Sequence, residues 1–244
     1  MNELELKLLN VIKESNNIVF FGGAGVSVES GIPDFRSPNG LYNSRELSKY
    51  APEEILSHSF FIQHTDLFYK FYKDKMIYED AKPNDCHKLL AKLEEMGKLK
   101  AVVTQNIDNL HTLAGSKVVY ELHGSVMRNT CMRCGKKYTL RDVMESSGVP
   151  KCSCGGIIKP DVVLYEEGLD YDTMKNALNA IASCDTLIIG GTSLAVYPAS
   201  GLINYFKGKT LVIINKSRTI YDGRADILIE DSIGKVSKEI MENL

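Results

Sequence analysis

Four of the six cysteines fall in one short stretch, as Cys131-x-x-Cys134 and, 17 residues on, Cys152-x-Cys154. Two close pairs of thiolates can close a tetrahedral shell around zinc, with bonds of about 2.3 Å. Gly135 and Gly155 ease the turns that each pair requires, and the single residue between Cys152 and Cys154 makes the second turn the tighter one. The flanking sequence is polar, so four unrelated core thiols are a poor account of the pattern. Four cysteines fill the shell and leave no position for water, which makes the implied zinc structural rather than catalytic. Cys86 and Cys184 lie on apolar faces of predicted elements and read as buried thiols.

A second set of reactive groups comprises Thr104-Gln105-Asn106-Ile107-Asp108 and His123-Gly124. Each group follows a predicted strand, Leu99 to Thr104 and Val118 to Leu122. In a parallel sheet the C-terminal strand ends gather along one edge, where ligands bind. Asn106, Asp108 and His123 can therefore converge on one point. A neutral histidine near pH 7 can take a proton from a hydroxyl, and Gly124 beside His123 is expected to leave room for a ligand. His58, His64, His87 and His111 have no such setting and read as ordinary surface or core residues.

Two glycine-rich turns complete the candidate chemistry. Gly22-Gly23-Ala24-Gly25 follows the apolar run Ile18 to Phe21 and precedes a predicted helix. Such a turn lets backbone approach a pyrophosphate at a helix N-terminus. The third glycine of the usual dinucleotide fingerprint is absent, with Val28 in its place. Alone, the loop is equally compatible with a tight turn that binds nothing. Gly190-Gly191-Thr192-Ser193-Leu194 follows another run, Thr186 to Ile189. Its small residues and hydroxyls suit phosphate or ribose contacts, or simply a turn with a Ser/Thr cap.

The elements that must position these groups alternate regularly. Apolar spacing predicts helices over residues 3–15, 86–96, 171–182, near 199–207 and over 233–241. Asn84 starts the second of these and Gly97 ends it. Further strands are predicted at 211–214 and 227–229. Strands alternating with helices imply βαβ units and a mostly parallel sheet, hence an α/β fold. Two segments interrupt it. Residues 38–80 read as a helical insert, with helices near 52–58 and 65–76, and residues 128–159 hold the cysteines and few core residues.

Composition sets the outer limits. With 244 residues, 44% hydrophobic and 25% charged, the chain can build a sizeable core. A net charge of −2 argues against a protein built to grip nucleic acid phosphates. Arg128, Arg133, Lys136, Lys137 and Arg141 of the cysteine segment therefore read as a solvated face, and no nucleic acid partner is expected. No apolar run reaches the length of a membrane span, so no membrane partner is expected. The N-terminus has no signal-peptide core, which makes the cytoplasm the expected compartment.

Taken together, the motifs resemble the sirtuin family, in its compact bacterial form. Gly23-Ala24-Gly25-Val26-Ser27, Ser30-Gly31-Ile32-Pro33-Asp34-Phe35-Arg36, Thr104 to Asp108, His123-Gly124, the four cysteines and Gly191-Thr192-Ser193-Leu194 stand in sirtuin order over nearly the whole chain. The resemblance implies a Rossmann-like domain (1–37, 81–127 and 160–244) and a smaller domain. The smaller one is made of the helical insert (38–80) and the zinc module (128–159). It implies NAD as co-substrate and acyl-lysine proteins or peptides as partners, entering a cleft between the domains.

The resemblance also implies residue roles. Ala24 and Gly25 would hold the pyrophosphate, with Gly23 and Val28 among the cofactor contacts and Arg36 near the phosphates. Phe35 would shield the reacting ribose. Ile107 and Asp108 would bind the nicotinamide amide, and Gln105 and Asn106 would order the ribose side, Asn106 close to the chemistry. Thr192, Ser193 and Asn215 would contact phosphates and adenine ribose, with Ile233 at the adenine pocket. His123 would be the general base that deprotonates a ribose hydroxyl. The products would be lysine, nicotinamide and an O-acyl-ADP-ribose. The peptide would add as a strand between residues 161–166 and 194–197. Val163, Tyr165 and Val196 would meet the substrate, and Phe35, Val163 and Tyr165 would line an apolar acyl tunnel.

Departures from the family bear on specificity. Leu164-Tyr165-Glu166-Glu167 stands where many relatives have Phe-Phe-Gly-Glu. The helix that in some relatives carries a Tyr-x-x-Arg for acidic acyl groups has no arginine here. It offers Tyr72 to Lys75, with Asp74 expected nearer the tunnel mouth, so neutral acyl groups are expected to be preferred. Two other functions are compatible with parts of the sequence: an NAD-dependent ADP-ribosyltransferase, and a nucleotide-sensing module whose zinc ribbon grips nucleic acid.

Overall fold

The computed structural model describes residues 1–34 and 50–244. Its strands are β1 (Ile18–Gly22), β2 (Leu99–Thr104), β3 (Val119–Glu121), β4 (Gly124–Cys131), β5 (Lys137–Thr139), β6 (Ile158–Val162), β7 (Thr186–Gly190), β8 (Thr210–Ile214) and β9 (Ile227–Ile229). Its α-helices are α1 (Glu3–Glu14), α2 (Pro52–Ile55), α3 (His58–Gln63), α4 (Thr65–Lys75), α5 (Asp85–Glu95), α6 (Leu110–Leu113), α7 (Leu140–Met144), α8 (Tyr171–Ser183) and α9 (Ile233–Glu242).

Six strands form one parallel sheet in the order β3-β2-β1-β7-β8-β9. Successive side chains of a strand point to opposite faces, and here both faces are covered. Ile18 and Phe20 of β1 pack with α1, α5 and α9. Val19 and Phe21 pack with α8 and the turns that follow β7. This explains why the strands read as unbroken apolar runs rather than as alternating ones. The strand order reverses between β1 and β7, the crevice where doubly wound sheets bind ligands. The loops after β1, β2, β3 and β7 all open on that edge.

The smaller lobe comes from two separate stretches of chain. An antiparallel sheet, β5-β4-β6, carries the cysteines. Phe60, Phe61, Phe68, Tyr69, Phe71 and Tyr72 of α3 and α4 share one core with Val126, Cys131, Leu140, Val143, Ile158, Val162 and Leu164. The strands of this sheet take in 124–127 and 160–162, which the sequence pattern places with the large domain.

Three other expectations are corrected. The segment after the glycine loop forms two 3-10 turns, Ala24–Val26 and Val28–Ser30, rather than an α-helix. It ends at Gly31, with φ 87°, just ahead of Pro33, and neither residue continues a helix. Residues 199–205 are likewise 3-10, with Gly201 inside the run. The insert near 52–58 divides into α2 and α3, because Ser57 caps a new helix through Phe60 N.

Candidate active site

The β1 and β7 loops meet back to back. Gly25 N donates to Gly191 O at 2.8 Å. A Cβ built on Gly25 would stand 2.7 Å from that oxygen, and one on Gly23 would stand 2.8 Å from Thr192 Cβ. Gly191 sits at φ 58° and is closely backed by Val26 N. The glycines are therefore required first by loop-against-loop packing, which leaves the Ala24–Gly25 backbone on the crevice edge. Val28 is 38% exposed on the same loop.

Four strand ends, those of β1, β2, β7 and β8, are tied across the crevice. Gln105 N donates to Gly22 O (3.0 Å). Gln105 Nε2 donates to Thr192 Oγ1 (3.1 Å), and Asn215 Nδ2 donates to Thr192 O (3.1 Å). Thr192 is buried and Ser193 exposed. Ile233 fills the space under Gly190, where a Cβ would overlap its Cδ1, so it forms the floor beneath the end of β7.

Beside this lies a buried polar knot. Asn106 Nδ2 donates to Ser27 Oγ (3.0 Å), and Ser27 Oγ donates to Asp108 Oδ2 (2.6 Å). Leu110 N donates to Asp108 Oδ1 (2.9 Å). Burial holds the Asp108 carboxyl above its usual range, and the bonds from Ser27 and Leu110 counter that only in part. Ser27, 1% exposed, is the residue the sequence reading passed over. It lies within the quoted motif, but nothing in its spacing signals that its hydroxyl joins the β1 loop to the β2 loop. Ile107 turns the other way, packs on the small-lobe core and accepts Val126 N at 3.0 Å.

His123 Nδ1 is 3.0 Å from Gln105 O. Only a protonated Nδ1 can donate to a carbonyl, so Nε2 keeps its lone pair. Burial lowers the His123 pKa, and the Gln105 carbonyl only partly offsets this, so the ring is neutral near pH 7. His123 O accepts Val163 N at 2.9 Å. Gly124 does not serve to leave ligand space. It has φ 76°, and a Cβ there would overlap the Asp161 carbonyl oxygen, so glycine permits the close β4–β6 approach.

The substrate-side residues fall as follows. Val163 is half-buried beside His123, and Val196 is half-buried with its carbonyl accepting Ser200 N. Tyr165 is 39% exposed, its backbone held between Leu56 O and His58 N, while Leu164 turns into the small-lobe core. Asp74 and Lys75 pair with each other at 3.1 Å. Phe35 and Arg36 lie outside the described residues.

The four cysteine sulfurs of Cys131, Cys134, Cys152 and Cys154 all lie within 4.8 Å of one another. Cys131–Cys154 and Cys134–Cys152 approach to 3.5 and 3.6 Å. A tetrahedral zinc with 2.3 Å bonds sets its sulfurs roughly 3.8 Å apart, so the donor set fits that ion. Gly135 and Gly155 adopt φ 72° and 82° at the two turns. Gly124 and Cys131 begin and end β4. At about 3.3 Å per residue the cluster is then on the order of 20 Å from His123, too far to touch reacting atoms. Cys86 and Cys184 are buried, and burial pushes both thiols up to about 12.

Residues 23–198 match the model of the Sir2 family. The chain belongs to the Sir2 family. Among its sirtuin relatives, an NAD-dependent protein deacetylase of Clostridium perfringens is 63% identical over 238 residues, covering 97% of this chain and 98% of that one. One of Fusobacterium nucleatum is 44% identical, covering 100% and 93%. A solved Sir2 structure with p53 peptide and NAD superposes with a TM-score of 0.86 at 40% identity, covering 97% of each chain. Another, with deacetylated p53 peptide and 3'-O-acetyl ADP ribose, gives 0.89 at 41% identity, covering 98% and 97%. Among the described residues of this sirtuin, no helix is long and apolar enough to cross a membrane.

Proposed function

We propose that the chain removes acetyl groups from protein lysines using NAD, giving nicotinamide and O-acetyl-ADP-ribose. The observation that carries this reading is His123. It is a neutral imidazole whose Nδ1 is pinned to Gln105 O, which leaves Nε2 as the base at the switch-point crevice. NAD, when bound, supplies the ribose carbon that accepts the acyl oxygen. The protein's part is binding, orientation and one proton transfer.

In this reading the backbone of Gly23 to Gly25, with Val28, Thr192, Ser193 and Asn215, borders the phosphates and adenine ribose, and Ile233 floors the adenine side. Arg36 would serve the phosphates, and Phe35 would shield the reacting ribose. Gln105 and Asn106 orient the reacting ribose, and Ile107 and Asp108 hold the nicotinamide amide. His123 Nε2 takes the ribose hydroxyl proton, typically worth about 10²–10⁴-fold in rate. Val163, Tyr165 and Val196 border the acyl-lysine peptide.

The four cysteines would hold one structural zinc that staples the β4–β5 turn to the segment before β6. We take the Rossmann-like part as 1–37, 81–127 and 160–244 and the small domain as 38–80 and 128–159, with 124–127 and 160–162 at the boundary also pairing in the small-lobe sheet. The cytoplasm is the compartment where reduced thiols of this kind and NAD coexist. The helix Thr65–Lys75 has no arginine, and Lys75 of its Tyr72 to Lys75 pair is engaged by Asp74 at 3.1 Å, which favours neutral acyl groups over succinyl.

The test is mass spectrometry of products from matched acetyl- and succinyl-lysine peptides with NAD. Equal amounts of deacylated peptide, nicotinamide and O-acetyl-ADP-ribose, with acetyl turned over faster, are expected. ADP-ribosylated peptide in their place would establish the transferase alternative.

A further inference from the structure

The segment that follows β6 is held from both ends. Val163 N donates to the carbonyl of His123. Two residues on, Tyr165 N donates to Leu56 O at 2.9 Å, and His58 N donates to Tyr165 O at 3.0 Å. A three-residue run therefore joins the base to the start of α3.

Of the next two residues, Glu166 stands where Phe-Phe-Gly-Glu has glycine, while Glu167 keeps its glutamate. Glu166 has φ 76°, a region that suits glycine and that side chains rarely adopt. The glutamate is compensated by what its carboxylate does. Glu166 Oε2 accepts from Ser59 N at 2.9 Å and from Ser59 Oγ at 2.7 Å. Glu167 reaches three elements at once. Its Oε2 accepts Leu164 N at 2.9 Å and Lys159 Nζ at 3.0 Å, and its Oε1 faces His58 Nδ1 at 2.8 Å. The Ser59 bonds hold the Glu166 carboxyl below its usual range. For Glu167, burial acts upward but the bonds from Leu164, His58 and Lys159 win.

We propose that Glu166 and Glu167, acting with His58, Ser59 and Lys159, are positioning residues for the acyl-lysine peptide. They latch the docking run Val163–Tyr165 to α3, so that peptide affinity is set from the helical insert. The proposal rests on the reading that Val163 and Tyr165 border the peptide. Its physical content is pre-organisation: a strand held in register before the peptide arrives loses less freedom on binding. Both carboxylates point at their own protein, so they act on the docking run and not on the peptide's side chains.

Three variants test the latch. Glu166→Gly suits the left-handed backbone but removes the carboxylate, Ser59→Ala removes the hydroxyl partner from α3, and Glu166→Gln is the conservative form that still accepts Ser59 N. Steady-state kinetics vary acetyl-peptide and NAD separately, on peptides with basic, neutral and acidic flanks, with melting temperature as the folding control. Glu166→Gly should raise the peptide KM roughly five-fold, the scale of losing one helix cap. The NAD KM and kcat should stay within about two-fold, Glu166→Gln should largely restore the peptide KM, and the variant combining Glu166→Gly with Ser59→Ala should be no worse than Glu166→Gly. The rise should be the same on all three flank types. A normal peptide KM in Glu166→Gly overturns the latch. So does a loss confined to basic-flanked peptides, which would make Glu166 a direct peptide contact. Absence of acetyl-peptide turnover by the unaltered enzyme would instead sink the deacetylase reading, and the latch with it.

Discussion

Replacing Ser27 with alanine removes one hydroxyl that serves two buried partners. It donates to Asp108 Oδ2 at 2.6 Å and accepts from Asn106 Nδ2 at 3.0 Å. A hydrogen bond to a charged group contributes about 1.5–3 kcal/mol, and the stranded Asn106 amide adds a further cost. If the carboxylate receives the nicotinamide amide, most of this appears in NAD binding. The expected result is at least a roughly ten-fold rise in the NAD KM, with peptide KM little changed. A pH signature accompanies it. Burial already raises the Asp108 pKa and the Ser27 bond lowers it, so removing the bond moves the carboxyl further up. An acid with a higher pKa loses its ionised form sooner as pH falls. The acidic limb of kcat/KM for NAD should therefore shift to higher pH in Ser27→Ala. The assay is nicotinamide release at saturating acetyl-peptide between about pH 5 and 9. Superimposable profiles with an unchanged NAD KM would refute the role given to this knot.

His123→Ala should reduce deacetylation by about 10²-fold or more while NAD affinity stays within a few fold by calorimetry; near-normal turnover would remove His123 as the base. Metal analysis should find one zinc per chain, and chelation should lower the melting temperature before activity decays, because the ion staples the small lobe far from His123; immediate inactivation at an unchanged melting temperature would contradict that placement. His87 and His111 pack ring to ring at 4.7 Å, and burial lowers them to about 4 and about 3. The unfolded chain takes up these protons first, near its usual pKa of about 6.5, so stability is full above that pH and falls as pH drops toward 4. Urea midpoints measured across this range should slope less in His111→Phe, and identical slopes would show that the pair does not matter.

The parallel sheet was legible because its strands are buried on both faces. Ile18 to Gly22 and Thr186 to Gly190 are fully buried, so burial left continuous apolar runs with glycines at their ends. The small lobe was much less legible. Strand β4 alternates irregularly, with Met127 and Arg128 both exposed, and its register slips between Gly124 and Asn129. No period-two pattern survives that. Its core is also assembled from two stretches far apart in sequence: Phe61 and Tyr72 from one, Val143 and Ile158 from the other. Local periodicity reports what a segment buries, but not which distant segment it buries against.

The site was legible in its residue types but not in the reasons for them. Gly124 suggested space for a ligand, yet it is glycine because the Asp161 carbonyl occupies the position of its Cβ. Gly23 and Gly25 suggested a pyrophosphate, yet their nearest neighbours are Thr192 and Gly191. Glycine in a sequence marks a close approach without saying whether the visitor is a ligand or another strand end. The polar residues are more informative, because a buried one is generally satisfied by a partner. Asn106, Ser27 and Asp108 form one bonded chain, and His123 is held by the carbonyl of Gln105, immediately before Asn106. The base and the acid therefore hang from the same β2 loop. Tilting that loop would move both, so a change at Ser27 should alter the nicotinamide side and the His123 side together.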